Sequence, residues 1–131
     1  MIPSSIQGAT GSLAGKRVLI VEDEMMVAMV LEDLLTELGC IVVKAGRVMK
    51  AVRFVANTEL DAAILDVNVA GEPVYPVAHE LQERGIPFIF SSGYGVGGLA
   101  PEYRNCPMLS KPFQLEQLAP TLAAAIQGPR N

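Results

Sequence analysis

Apolar and polar positions follow two alternating spacings along the chain. Residues 17–21 (RVLIV) form a short run of apolar, β-branched residues, which predicts a buried strand. From Glu24 to Leu38 the spacing turns helical. Val27, Leu31, Leu34, Leu35 and Leu38 recur on one face, Glu32, Asp33, Thr36 and Glu37 fill the other, and Gly39 ends the run. Residues 40–45 (CIVVKA) predict a second strand, and 47–57 a short helix with Val48, Ala51, Val52 and Val55 inward. A third strand is predicted at 61–65 (DAAIL), then a helix at 74–84 closed by Gly85. Residues 86–91 (IPFIFS) and 107–109 (PML) predict two further strands. The last helix, 114–127, carries the stripe Leu115, Leu118, Leu122 and Ile126.

This is an α/β pattern of five strand–helix repeats in which the fourth helix is degraded. Strands without strict alternation, separated by helices, predict a parallel sheet covered on both faces. With right-handed crossovers, the expected topology is a doubly wound, flavodoxin-like, five-stranded parallel sheet of order 2-1-3-4-5. Where the fourth helix belongs, GYGVGGLAPEYRN (93–105) breaks all periodicity. Gly93, Gly95, Gly97 and Gly98 make that segment costly to order, so a mobile loop is expected, with one helical turn near Leu99 to Arg104. Pro120 falls inside the last helix, where it removes the donor to Glu116 and predicts a kink. Residues 1–14 read as a flexible leader, 15–127 as one domain and 128–131 as a tail.

Composition narrows the function classes. Half of the 131 residues are apolar, enough for a core. No run of about 18 apolar residues exists, so no transmembrane helix is predicted. The first residues lack the pattern of a secretory signal, so a cytoplasmic location is expected. The formal net charge of −4 argues against a nucleic-acid partner. Cys40 and Cys106 lack metal spacing and read as reduced, buried thiols. GYGVGG is not followed by Gly-Lys-Ser/Thr and does not make a phosphate loop. His79 reads as a surface or half-buried helix residue. Met25, Met26 and Met29 suit core packing and a partner surface equally. A monomer or weak dimer is expected.

Charged residues at the strand ends carry the chemistry. The first strand runs into Glu22, Asp23 and Glu24, and the third into Asp66. In the order 2-1-3 these strands are neighbours, and ligands bind at their carboxyl ends. Like charges so placed need a cation, and Mg²⁺ suits a site of carboxylates and phosphate. Glu24 is explained instead by the start of a helix, where the dipole favours an anion. Ser92 ends the fourth strand, and Lys111 follows the fifth. Acids, a hydroxyl and an ammonium around one metal make a phosphoryl site. Asp66 is its expected nucleophile, with an aspartyl phosphate as product.

The segments VEDE, LDVN, SSGY and SKPF, each following a predicted strand, resemble the receiver domain of two-component response regulators over residues 16–126. The resemblance implies that Asp66 is the phosphoacceptor and that Asp23, Asp66 and the backbone carbonyl of Asn68 bind Mg²⁺, with Glu22 acting through water. It implies that Ser92 and Lys111 contact the phosphoryl oxygens, and that the Lys111–Pro112 bond is cis. A narrower likeness is to the stand-alone receivers of the FAT GUY subgroup. Their Phe-Ala-Thr-Gly motif reads Phe90-Ser91-Ser92-Gly93 here, and Met108 stands where receivers often have a switch aromatic. The implied donor is a sensor histidine kinase, the HWE type among them, or a histidine phosphotransfer protein. Phosphorylation is expected to order the glycine-rich loop, and output to come by protein contact or phosphorelay. The alternative is a receiver-like binding module that takes no phosphate. A haloacid-dehalogenase-like phosphatase wants a second Asp where Asn68 stands. A flavin module wants a neutral phosphate loop where Glu22 and Asp23 stand.

Overall fold

The structure is a computed structural model that describes residues 13–93 and 98–128. In chain order its elements are β1 (Arg17–Val21), α1 (Met25–Glu37), β2 (Ile41–Ala45), α2 (Val48–Asn57), β3 (Ala62–Asp66), β4 (Asn68–Val69), β5 (Glu72–Pro73), α3 (Tyr75–Glu83), β6 (Phe88–Ser92), β7 (Met108–Ser110) and α4 (Leu115–Gln127). The main sheet has the order β2-β1-β3-β6-β7, all parallel, which is the predicted 2-1-3-4-5 order of its five strands. The predicted elements appear within about two residues of their expected limits.

Residues within each strand alternate between two cores. Val18, Ile20, Ile64, Ile89 and Leu109 meet Leu31, Leu35 and Leu38 of α1 and Leu118 and Leu122 of α4. Leu19, Val21, Leu65 and Phe90 meet Val48, Ala51 and Val55 of α2 and Val77 and Leu81 of α3. Both strand faces are therefore apolar, as a sheet covered on both sides demands.

Two local features depart from the sequence reading. Leu13, placed in the leader, is fully buried in the α1 and α4 core, and its carbonyl accepts a weak bond from the Cys40 thiol at 3.6 Å. A lone leucine after Gly11-Ser12 carries no periodic signal, so only packing reveals it. Residues 1–12, the rest of the expected leader, lie outside the described residues. The second departure is the β4–β5 hairpin, turned by Ala70 (φ 52°) and Gly71 (φ 83°). Such a turn needs positive φ at both central residues, and alanine there gives no turn signal. α4 spans Leu115–Gln127 with Pro120 inside it, within the limits expected from sequence.

Where the fourth helix belongs, the described residues include a 3₁₀ turn at Pro101–Tyr103. Residues 94–97 of the expected mobile loop lie outside the described residues. The turn is anchored by aromatics. Tyr103 stacks on Tyr75 at 4.9 Å with rings 5° apart, and meets Phe90 edge-on at 5.6 Å. The Tyr75 hydroxyl accepts the Ala100 N–H at 2.7 Å. Tyr75→Phe leaves that part-buried N–H unpaired and is expected to lose about 1 kcal/mol in urea unfolding. An unchanged midpoint would show that the bond holds nothing.

Gly39 stops α1 in the left-handed region at φ 87°, and a Cβ there would lie 3.3 Å from Ala14 Cα. Its carbonyl accepts the Gly15 N–H at 2.9 Å, tying the start of the domain to this turn. Gly39→Ala is expected to lower stability by about 1–2 kcal/mol, read from the shift in urea midpoint.

Candidate active site

The sheet brings the sequence-predicted acids together at one edge. Val21 pairs with Leu65 across β1 and β3, so the residues that follow, Glu22 and Asp66, emerge side by side. Carboxylate oxygens of Glu22, Asp23 and Asp66 all lie within 4.8 Å of one another. Glu22 is buried, Asp66 half-buried and Asp23 exposed, so the group forms a slope from core to solvent. Glu24 stands outside this group. It precedes the first turn of α1, and its N–H donates to Glu22 Oε2 at 3.1 Å.

Lys111 reaches in from the end of β7. Its Nζ donates to Glu22 Oε1 at 3.0 Å and lies 3.5 Å from Asp66 Oδ1. The Lys111–Pro112 peptide is cis. Lys111 N–H donates to the Ser92 carbonyl at 3.2 Å, which extends the β6–β7 ladder beyond Ser110. Ser92 is buried at the end of β6, and Asn68 begins β4 two residues after Asp66. Glu22, Asp23, Asp66, Ser92 and Lys111 therefore lie at the carboxyl ends of neighbouring strands, with Asn68 two residues beyond Asp66.

Electrostatics distinguish Asp66. Burial, and then the charge of Glu22, push its carboxyl up from 3.8 to about 6, and Lys111 offsets only part of this. Burial alone would lower the Lys111 ammonium, but its bond to Glu22 and the two carboxylate charges raise it. The cluster thus carries more negative charge than one lysine balances. Its donors are hard oxygens, and Mg²⁺ is held by one or two carboxylates with water completing the shell. The residues present fit that ion.

Two features around the site were not legible in sequence. Ser91, which in sequence is only one residue of the Phe90–Gly93 motif, pairs with Asp66 in the β3–β6 register and is buried. Tyr75 and Tyr103 surround Phe90, whereas Met108 pairs with Phe90 across β6 and β7. The aromatic contacts next to Phe90 thus come from α3, the 3₁₀ turn and Phe88 of β6 itself. No sequence spacing links Tyr75 to Tyr103. Met25 and Met26, whose type suits core and surface equally, are 76% and 74% exposed at the start of α1.

Comparison with known proteins supplies the remaining findings. A family model described as the response regulator receiver domain matches residues 18–123. The transcriptional regulatory protein TcrA of Mycobacterium tuberculosis is 32% identical over 126 residues, covering 88% of this chain and 48% of that protein. This chain thus spans about half the length of that curated relative. The solution structure of SdrG from Sphingomonas melonis Fr1 matches with a TM-score of 0.77 and 39% identity, over 89% of this chain and 98% of that one. The receiver domain of sensor histidine kinase PA1611 from Pseudomonas aeruginosa PAO1 has a magnesium ion coordinated in its active site cleft. It matches with a TM-score of 0.73 and 26% identity, over 88% of this chain and 100% of that one.

Proposed function

The chain belongs to the response regulator receiver domain family, and from that premise we propose that it is a phosphoryl-accepting switch with Asp66 as the acceptor. The observation that carries this reading is the convergence of Glu22, Asp23 and Asp66 with Lys111 at one edge of the sheet. A phosphohistidine protein supplies the phosphoryl group: a sensor histidine kinase, the HWE type among them, or a histidine phosphotransfer protein. An Asp66 carboxylate oxygen forms the new bond to phosphorus as the phosphorus–nitrogen bond of the donor breaks, and the electron pair leaves with the imidazole. Lys111 and the Ser92 hydroxyl contact the phosphoryl oxygens, the first by charge and the second by a hydrogen bond.

Asp23, Asp66 and the Asn68 carbonyl would hold a Mg²⁺, with Glu22 acting through water. That ion would supply charge neutralisation for the incoming phosphoryl group. Glu22 also fixes Lys111, since one of its oxygens takes the ammonium and the other the Glu24 amide. Burial of Asp66 shields the acyl phosphate from water, so the phosphorylated form lasts long enough to signal. The exposed methionines of α1, Met25, Met26 and Met29, flank this edge and suit the docking of the donor. Among the described residues no helix is long and apolar enough to cross a membrane. A cytoplasmic protein that signals by protein contact or relay fits these features.

Intact mass after incubation with Mg²⁺ and acetyl phosphate tests the reading, with the wild type beside Asp66→Ala. One phosphoryl group on the wild type alone is expected. No addition to either protein, with Mg²⁺ shown to bind, would overturn it and favour a receiver-like module that only binds partners.

A further inference from the structure

Among the described residues, Ser91 Oγ is a buried side-chain polar atom with no hydrogen-bond partner, and Ser91 is 1% exposed. A buried hydroxyl left unpaired is unfavourable, and native structures rarely keep one without a use. Its place in the sheet indicates the use. Ser91 pairs with Asp66 on one side and Leu109 on the other. Ile64 and Ile89 point into the α1 and α4 core, whereas Leu65 and Phe90 point into the opposite core. By strand alternation Asp66 and Ser91 share the first of these faces. Lys111, two residues beyond Leu109, crosses the same face to reach Glu22 and Asp66.

We propose that Ser91 is a positioning residue for Asp66, and that its hydroxyl finds its partner when the acyl phosphate forms. The inference rests on the receiver reading above. In the unmodified protein Asp66 is turned towards Lys111, 3.5 Å away. Phosphorylation changes both partners. One Asp66 oxygen forms the bond to phosphorus while the bond from phosphorus to the leaving acetate oxygen of acetyl phosphate breaks, and the electron pair departs with acetate. The other Asp66 oxygen becomes a carbonyl, no longer an anion for Lys111. Ser91 then donates to that carbonyl oxygen and keeps its own proton. The bond holds the acyl group in one orientation, while Ser92, one residue further along β6, is left to the phosphoryl oxygens.

The test compares wild type, Ser91→Ala and Ser91→Thr in Mg²⁺ and acetyl phosphate, reading the phosphorylation rate by intact mass and the metal-free melting temperature. Ser91→Ala is expected to phosphorylate about five- to ten-fold more slowly, the worth of one hydrogen bond, with a melting temperature equal to or above wild type because an unpaired hydroxyl has been removed. Ser91→Thr keeps the hydroxyl and is expected to regain most of the rate. A Ser91→Ala rate equal to wild type overturns the proposal while leaving the receiver reading intact. A slow Ser91→Ala that also melts lower shows a structural role and overturns it too. A wild type that takes no phosphoryl group at all removes the phosphoryl-acceptor reading itself, and this inference with it.

Discussion

Lys111→Met is expected to lower the metal-free stability of the protein by about 3 kcal/mol at neutral pH. The Glu22 side chain is 1% exposed and has Lys111 as its ion-pair partner at 3.0 Å. Methionine keeps most of the stem volume and removes the charge. Glu22 and Asp66 are then left facing one another with no counter-charge in a half-buried site. Removing one partner of a buried pair costs more than the pair itself contributes, because the surviving charge stays desolvated. Urea unfolding in EDTA measures the loss. Added Mg²⁺ should restore part of it, since the cation lies against the same oxygens. A loss under about 1 kcal/mol would mean that water reaches Glu22 and screens it, as at a surface pair.

Asp66→Asn is expected to act in the opposite direction and stabilise the metal-free protein by about 2 kcal/mol at pH 7, after allowance for partial solvent screening. Folding raises the Asp66 carboxyl from 3.8 to about 6, through burial first and the Glu22 charge second. The folded protein therefore binds this proton more tightly than the unfolded chain. Its contribution to stability is fully present below about pH 4 and is lost as pH rises through about 6. Above that range the wild type carries the cost of a charged Asp66, and asparagine does not. The gain should shrink as pH falls from about 6 towards 4. Saturating Mg²⁺ should narrow or reverse it, because the wild type alone keeps the full carboxylate set. Melting curves of both proteins in EDTA and in Mg²⁺, across this pH range, check the sign. A variant less stable than wild type in EDTA at pH 7 would show that Lys111 outweighs burial and Glu22.

The strand-end acids were legible because the apolar runs of the first and third strands end in them, as Asp66 follows Ala62–Leu65. A carboxylate in that position is costly unless it serves a site, so the sequence marks it. The β4–β5 hairpin was not legible, because Ala70 adopts φ 52° under the pull of the turn and against its own preference. Leu13 was missed for a related reason: a single apolar residue has no period. Ser91 was read only as a neighbour of Ser92, and its lack of a partner is a property of the buried space around it.

Periodicity by itself determined the order of strands and helices, the two-faced parallel sheet and the set of charged residues at its edge. The reason is local: spacing of 2 or 3.6 residues decides which side chains share a face, and chirality of the crossovers limits how those faces stack. Tertiary structure alone decided which carboxylate is buried, which faces solvent and which oxygen Lys111 takes. Those outcomes depend on atoms up to 89 residues apart along the chain, as Lys111 and Glu22 are. No local spacing encodes a distance of 3.0 Å between them; only the closed sheet, with β7 brought beside β6 and β3 beside β1, brings the two within reach.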